Sequence, residues 1–146
     1  MKVLVAIDSS LFAHQVVQAI GERSWPSETE FMLLTVVGHC RSDADENAFV
    51  HEAQMILDER ARYLRHAART HDVTARVEVG VAPEMILSVA KFWQPDLIVL
   101  GSHGDTGIRP SRLGSVAAHI VNHSPCSVDI IKVKKDDHFP VTAAHA

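Results

Sequence analysis

Two short glycine-containing segments are the part of this sequence best suited to binding chemistry. Gly101-Ser-His-Gly104 follows the apolar run Asp96-Leu-Ile-Val-Leu100, and nine residues separate Gly104 from a second pair, Gly114-Ser115. Glycine at the end of a strand lets backbone N–H groups approach a ligand without a Cβ in the way. A Gly-Ser pair at the start of a helix adds free N–H groups and the positive end of the helix dipole, which bind anions. The two segments together predict a phosphate-binding loop.

The same glycines would also fit simple turns, and two familiar phosphate motifs are absent. The chain contains no G-x4-G-K-[ST], which excludes a P-loop, and the first apolar run leads into Asp8-Ser9-Ser10 instead of G-x-G-x-x-G. The placement of the glycines after a strand, with Gly114-Ser115 opening a helix, favours binding over turn formation.

Five short apolar runs alternate with helical patterns, which predicts an α/β fold. The predicted strands are residues 2–7, 31–37, 73–79, 97–100 and 127–133. Asp8-Ser9-Ser10 is expected to cap the first helix, residues 38–47 to form a mobile loop, and Pro83 to open the third helix. A long second helix is expected over about residues 48–70, with a buried stripe of apolar side chains: Phe49, Ala53, Ile56, Leu57, Ala61, Leu64 and Ala68.

This alternation predicts a three-layer, Rossmann-like sandwich, with helices on both faces of a five-stranded, mostly parallel sheet. Ligands of such sheets bind beyond the carboxyl ends of the strands, where the winding direction reverses. If the first and fourth strands flank that point, Asp8 and the segment from Gly101 to Gly104 share one pocket.

Size and composition restrict the classes of function. The 146 residues fit one domain, predicted over residues 1–135 with a polar tail at 136–146, and the formal net charge is −4. Without a basic run, this charge argues against nucleic acid as a partner. The apolar run at the N-terminus is too short for a signal peptide or a membrane span, and the two cysteines have no metal-type spacing. We therefore expect a cytoplasmic protein that binds neither membrane nor nucleic acid.

Several separated motifs, in order, resemble the universal stress protein family, specifically its ATP-binding kind with the pattern G-x2-G-x9-G-[ST]. The resemblance covers residues 2 to about 133 and lies in Lys2-Val-Leu-Val-Ala-Ile-Asp8-Ser9-Ser10, Leu33-Leu-Thr-Val-Val37, Pro95-Asp-Leu-Ile-Val-Leu-Gly-Ser-His-Gly104, Leu113-Gly-Ser-Val116 and Asn122-His-Ser-Pro-Cys-Ser-Val128. It implies five parallel strands in the order 3-2-1-4-5.

The resemblance also implies a binding site for ATP. The residues expected to line the adenine and ribose are Ala6, Ile7, Asp8 and the backbone of Val36. The phosphates would be held by backbone N–H groups of Gly101, Gly104, Gly114, Ser115 and Val116 and by the Ser115 hydroxyl, and Leu100 and His103 complete the predicted set. His103 has two open interpretations, a phosphate contact or a solvent-facing ring. Mg or Mn would sit on the phosphates rather than in a protein cage.

The chain departs from the family pattern at two positions. Ala118 stands where many relatives carry Glu, which would form a capping box with Ser115. Asp129 replaces an apolar residue in the last strand, an edge strand through which the family commonly forms homodimers. A charge on an edge strand disfavours strand pairing, so the predicted homodimer is in doubt at this residue.

The leading functional hypothesis is an ATP-binding regulatory protein of the stress response. One alternative is a slow, Mg-dependent ATPase or nucleotide-transfer enzyme that uses His103, Asp105 and the loop arginines Arg109 and Arg112, which could instead be solvated. A second alternative is an interaction module without nucleotide. His119 and His123 have the i, i+4 spacing of zinc ligands, but without a third ligand we expect a structural or surface role.

Overall fold

Five strands and four helices alternate along the chain in the computed structural model, which describes residues 1–70, 72–104, 107–109 and 111–135. The predicted tail, residues 136–146, lies outside this described part. The elements are β1 (Lys2–Ala6), α1 (Ala13–Gly21), β2 (Glu30–Val37), α2 (Asp43–Ala67), β3 (Val73–Val79), α3 (Ala82–Trp93), β4 (Leu97–Gly101), α4 (Ser115–His123) and β5 (Ser127–Ile131).

The strands form one parallel sheet in the order β3-β2-β1-β4-β5, which confirms the order implied by the resemblance. β1 lies at the centre, and Ala6 near its end is paired with Leu34 of β2 and Leu100 of β4. The winding direction reverses between β1 and β4. The loops that follow these two strands therefore emerge side by side at the carboxyl edge of the sheet.

The sheet separates two apolar cores because successive side chains of a strand point to opposite faces. Val3 and Val5 of β1 pack in a core with α1 and α2, whereas Leu4 and Ala6 pack in a second core with α3 and α4. β2 follows the same alternation. A strand that is covered by helices on both faces has no solvent-facing side chains, which explains why the central strands are continuous apolar runs in the sequence.

The ends of β1, β2 and β4 differ from the expectations drawn from sequence by one residue, and three other boundaries differ by more. α1 begins at Ala13, and its N-cap is Phe12 rather than the segment 8–10, because Asp8 and Ser10 close local turns before the helix begins. α2 begins at Asp43, with the Ser42 hydroxyl accepting a hydrogen bond from the Asp45 N–H, so the predicted loop 38–47 is shortened. β5 ends at Ile131, two residues early.

The predicted buried stripe of α2 is only partly correct. Leu57, Ala61 and Leu64 are buried against β2 and β3, but Phe49 and Ile56 are exposed. The periodicity correctly identified an amphipathic helix. It could not show that the sheet and α1 end before the helix does, so the first half of α2 has little beneath it.

Candidate functional site

A cavity of about 270 Å³ opens at the carboxyl edge of the sheet, where the winding reverses. All eleven residues predicted from sequence lie around it: Ala6, Ile7, Asp8, Val36, Leu100, Gly101, His103, Gly104, Gly114, Ser115 and Val116. The structure therefore brings together residues separated by more than 100 positions in the chain.

The end of β1 is held so that Asp8 enters this cavity. The Ile7 N–H donates to the Leu34 carbonyl at 2.9 Å, and the buried Thr35 hydroxyl donates to the Ile7 carbonyl at 2.9 Å. These bonds extend the ladder one residue beyond β1. Asp8 is the first residue free of the sheet, and its Oδ1 accepts from the Ser10 N–H at 2.9 Å. Its other oxygen, Oδ2, is directed across the crevice.

Gly104 lies directly opposite that oxygen. A Cβ added to Gly104 would overlap Oδ2 of Asp8, and the next nearest atom would be Cγ of the same carboxyl group at 3.4 Å. With the Asp8 side chain in this position, the loops after β1 and β4 leave no room for a Cβ at position 104. A side chain there would have to displace the Asp8 carboxylate, whereas glycine lets the backbone come up to it.

Gly101 and Gly114 serve close packing within the protein. A Cβ at Gly101 would lie 3.2 Å from Cγ2 of Val16 and 3.3 Å from Cγ1 of Val133. A Cβ at Gly114 would lie 3.1 Å from the Ser102 carbonyl oxygen and 3.3 Å from Cα of His103. The Gly114 N–H also donates to that carbonyl at 2.7 Å. These two glycines therefore allow the loop after β4 to pack closely against its neighbours in the protein.

The N-terminus of α4 faces the cavity with Gly114 as its N-cap, which has no side chain to cap the helix. The Gly114 carbonyl accepts the first helical bond, from Ala118 at 2.9 Å. Ser115 is thus the first helical residue, and the predicted capping relation between Ser115 and position 118 is wrong by one position. The leading N–H groups of a helix lack partners within it, so this end offers both donors and the positive end of the helix dipole.

A chain of hydrogen bonds runs through the loop beneath the cavity. The Val133 N–H donates to the Ser102 hydroxyl oxygen at 3.1 Å, that hydroxyl lies 3.0 Å from Nδ1 of His103, and Nε2 of His103 lies 2.6 Å from the Arg112 carbonyl oxygen. A carbonyl only accepts, so Nε2 carries the ring proton and Nδ1 accepts from the hydroxyl. Both ring nitrogens of His103 are used within the loop, and a phosphate contact would require one of these bonds to break.

The segment after β5 fastens the same loop to α1. The Ser102 N–H donates to the Ile131 carbonyl at 2.8 Å. The Gln15 amide exchanges two bonds with the backbone of Lys134, donating to its carbonyl at 2.6 Å and accepting from its N–H at 2.9 Å. We call residues 131–134 the strap. Val133 within it is buried in the core formed with α1 and α2.

One wall of the cavity is apolar and was largely missed from sequence. Besides Val36 and Val116, it includes Leu34, Ala82, Ile86 and Ala117, from β2, α3 and α4. Ser10, Phe12, Ala13, Val16 and Ser102 also line the cavity without having been predicted. The available signal was that every helix in such a fold begins at the carboxyl edge, so Ala82 and Ile86, one turn apart in α3, were candidates.

The other described residues singled out from sequence do not line the cavity; they are His119, His123, Arg109 and Arg112. His119 and His123 stack with ring centroids 4.3 Å apart, and no group of three His, Cys, Asp or Glu among the described residues could hold a metal ion. Arg109 and Arg112 are exposed, and Asp105 lies outside the described residues. Within the same described part, no helix is long and apolar enough to cross a membrane.

Sequence comparison links the chain to one family. The model of the Universal stress protein family matches residues 1–132. Universal stress protein A homolog 2 of Coxiella burnetii is 35% identical over 89 residues, which cover 61% of this chain but 58% of that protein. Universal stress protein MJ0577 of Methanocaldococcus jannaschii is 29% identical over 133 residues, covering 86% of this chain and 81% of the relative. The chain thus spans little more than half of the Coxiella protein it matches.

Solved structures share the fold. The MJ0577 structure superposes with a TM-score of 0.79 at 25% identity, covering 92% of this chain and 97% of that one. A universal stress protein in complex with cAMP gives a TM-score of 0.74 at 22% identity, covering 92% and 98% of the two chains. The Archaeoglobus fulgidus protein in complex with dAMP gives 0.62 at 21% identity, with the same coverage.

Proposed function

This chain belongs to the universal stress protein family, and on that premise we propose that it binds ATP in the crevice between β1 and β4 and acts in the cytoplasm as a regulatory protein. The family is one of stress-response proteins. Structural neighbours with bound cAMP and dAMP support an adenine nucleotide as the ligand class.

The observation that carries the proposal is the meeting of the Asp8 carboxylate with Gly104 at one edge of the cavity. A carboxylate suits the hydroxyl groups of a ribose, and the uncapped N-terminus of α4 across the loop suits an anion. The apolar wall around Val36, Ala82 and Ile86 is a surface on which the flat ring of a nucleotide base can pack away from water. A nucleotide is a ligand class that uses all three surfaces together.

The divalent cation in this proposal arrives with the phosphates. Among the described residues that line the cavity, Asp8 is the one carboxylate, so this donor set suits a cation held mainly by phosphate oxygens and water. The proposal favours a binding protein over an ATPase because His103, the candidate acid or base, uses both ring nitrogens to hold the loop.

The decisive experiment identifies the nucleotide that copurifies with the protein. The purified chain is denatured, the supernatant is separated by ion-exchange chromatography, and the protein is titrated with ATP, AMP and cAMP by calorimetry, with and without Mg²⁺. We expect ATP to bind most tightly and to need Mg²⁺. Absence of nucleotide together with no measurable affinity would refute the proposal, and tighter binding of AMP would reassign the ligand.

A homodimer through β5 is the second part of the proposal. The doubt raised by Asp129 is reduced because its carboxylate pairs with Arg23 of the same chain, beyond the end of α1. Arg23→Ala, which frees that charge, should weaken the dimer, and adding Asp129→Ala should restore it. Light scattering after size exclusion measures the mass, and a monomer in every variant at all concentrations would contradict this assembly.

A further inference from the structure

α2 is much longer than the helix beside it. α2 has 25 residues and α1 has 9, which correspond to about 37 Å and about 13 Å of helix. The two helices run in the same direction, and they touch where Gly21, the last residue of α1, lies against Tyr63 and Ala67 of α2. Gly21 is level with the middle of the stretch from Tyr63 to Ala67, so α1 begins level with about residue 57 of α2. Roughly the first fourteen residues of α2 therefore extend past α1.

An apolar row begins on this extension, on the flank nearest α1, and continues to Tyr63 beside the end of α1. Phe49, Ile56 and Tyr63 recur every seven residues, so they lie on one side of the helix. Phe49 is 53% exposed and Ile56 is 38% exposed. We call these three side chains the α2 row. Single exposed apolar residues are common on protein surfaces, but an aligned set on one helix marks a surface for another protein chain.

The charges of α2 are sorted along its length. Residues 43–59 contain six carboxylates and no lysine or arginine, whereas residues 60–67 contain three arginines and no carboxylate. The helix dipole favours this arrangement only in the first and last turns. It does not explain Glu52, Glu59 and Arg60 in the middle of the helix. Among the described residues, none of these three has an ion-pair partner.

We propose that the α2 row is a self-association surface, on which a second copy of this chain docks with its own α2 antiparallel. A two-fold axis at Ile56 places Phe49 opposite the partner's Tyr63, because these residues lie seven positions to either side. The same axis sets Glu52 opposite the partner's Arg60. The acidic first turns of each helix then lie over the arginine-containing last turns of the other, which is the complementarity that an isologous contact requires.

The charges also select the antiparallel arrangement over a parallel one. In a parallel pair, the acidic part of one helix would lie beside the acidic part of the other, and like charges brought together repel. One helix pair buries less area than a stable dimer interface. The contact is therefore weak, and it weakens further at high ionic strength because its charges are exposed.

Site-directed disulfide formation tests the position of the axis. Ile56→Cys and, separately, Met55→Cys are made in the full chain with Cys40→Ser and Cys126→Ser, and the rate of disulfide-linked dimer formation is measured under mild oxidation. Met55 is the matched control, since it is adjacent in sequence but lies on the outer face and is 61% exposed. Random collision would link the more exposed Met55→Cys faster. We expect Ile56→Cys to link at least tenfold faster.

A charge exchange provides the second test. Glu52→Arg and Arg60→Glu are each expected to reduce the concentration-dependent association seen by sedimentation velocity, and the double variant to restore it. Glu52 and Arg60 are about 12 Å apart along one helix, so they do not pair within a chain. Equal rates of linking for Met55→Cys and Ile56→Cys would overturn the proposal. No linking of either variant would also overturn it, and is the result expected if another segment or another protein covers the row. Failure of the double variant to recover would overturn the antiparallel register. The cross-link reports this contact whether or not β5 also pairs.

Discussion

Replacement of Ser102 by alanine tests the hydrogen-bond chain beneath the cavity. Ser102 and Val133 are 4% and 3% exposed, so Ser102→Ala leaves the Val133 N–H buried without its acceptor. An unpaired buried donor costs about 1–3 kcal/mol. Nδ1 of His103, which is half-buried, loses its donor but can recover one from water, so it adds little. We expect the free energy of unfolding to fall by about 1–3 kcal/mol and Tm to fall by about 2–12 °C.

Ser115→Ala is the matched control for this prediction. Ser115 lies around the same cavity and is exposed at the start of α4, so losing its hydroxyl should change stability by no more than about 0.5 kcal/mol. Urea unfolding followed by the fluorescence of Trp25 and Trp93 measures both variants. In the proposed site, Ser115 donates to phosphate, so Ser115→Ala should lose nucleotide affinity while it keeps stability. If the two variants were equally stable, the Ser102 hydroxyl would not be the acceptor for Val133.

Three further substitutions test the geometry of the site. Gly104→Ala should displace the Asp8 carboxylate and lower nucleotide affinity in calorimetry about tenfold or more. In a protein that already carries Asp8→Ala, the same substitution should cause no further loss of affinity. A full additional loss in that double variant would show that Gly104 acts independently of Asp8. His103→Gln keeps a donor for the Arg112 carbonyl and should retain more affinity than His103→Leu, and equal losses would mean that this bond is unimportant. Gly114→Val drives a side chain into the backbone of Ser102 and His103, so it should abolish nucleotide binding while circular dichroism stays native, and unchanged affinity would contradict the close packing.

The strands and the location of the phosphate-binding loop could be predicted because they depend on short-range patterns, whereas the order of the strands was implied by the resemblance to the family. Continuous apolar runs give buried parallel strands, and the glycines after β4 mark the point where the backbone must approach something closely. The roles of the individual glycines could not be predicted. A side chain at position 101 would crowd Val16 and Val133, which lie 85 residues earlier and 32 residues later in the chain. Nothing in the local sequence gives the register of those contacts.

Long-range contacts limited two other inferences from sequence. Helical periodicity shows which side chains of α2 share a face, but the length of the layer beneath depends on α1 and the sheet, so Phe49 and Ile56 were wrongly assigned to the core. The partner of Asp129 could not be predicted because Arg23 is 106 positions away, and the dimer through β5 stays a prediction. Local turn chemistry misled in one case, where Asp8 and Ser10 close turns that precede α1 instead of capping it.

The strap determines when during synthesis the crevice can be completed. Gln15 leaves the ribosome early, but its bonds are to Lys134, 119 residues later. At about 5–20 residues per second, the ribosome needs roughly 6–24 s to add that stretch. Until then, the loop after β4 lacks the bonds of Ile131 and Val133 to Ser102. A nascent chain that has made β1 to α4 therefore holds the residues that line the cavity without the anchor that orients the loop after β4, and the crevice is complete only in chains translated through Lys134.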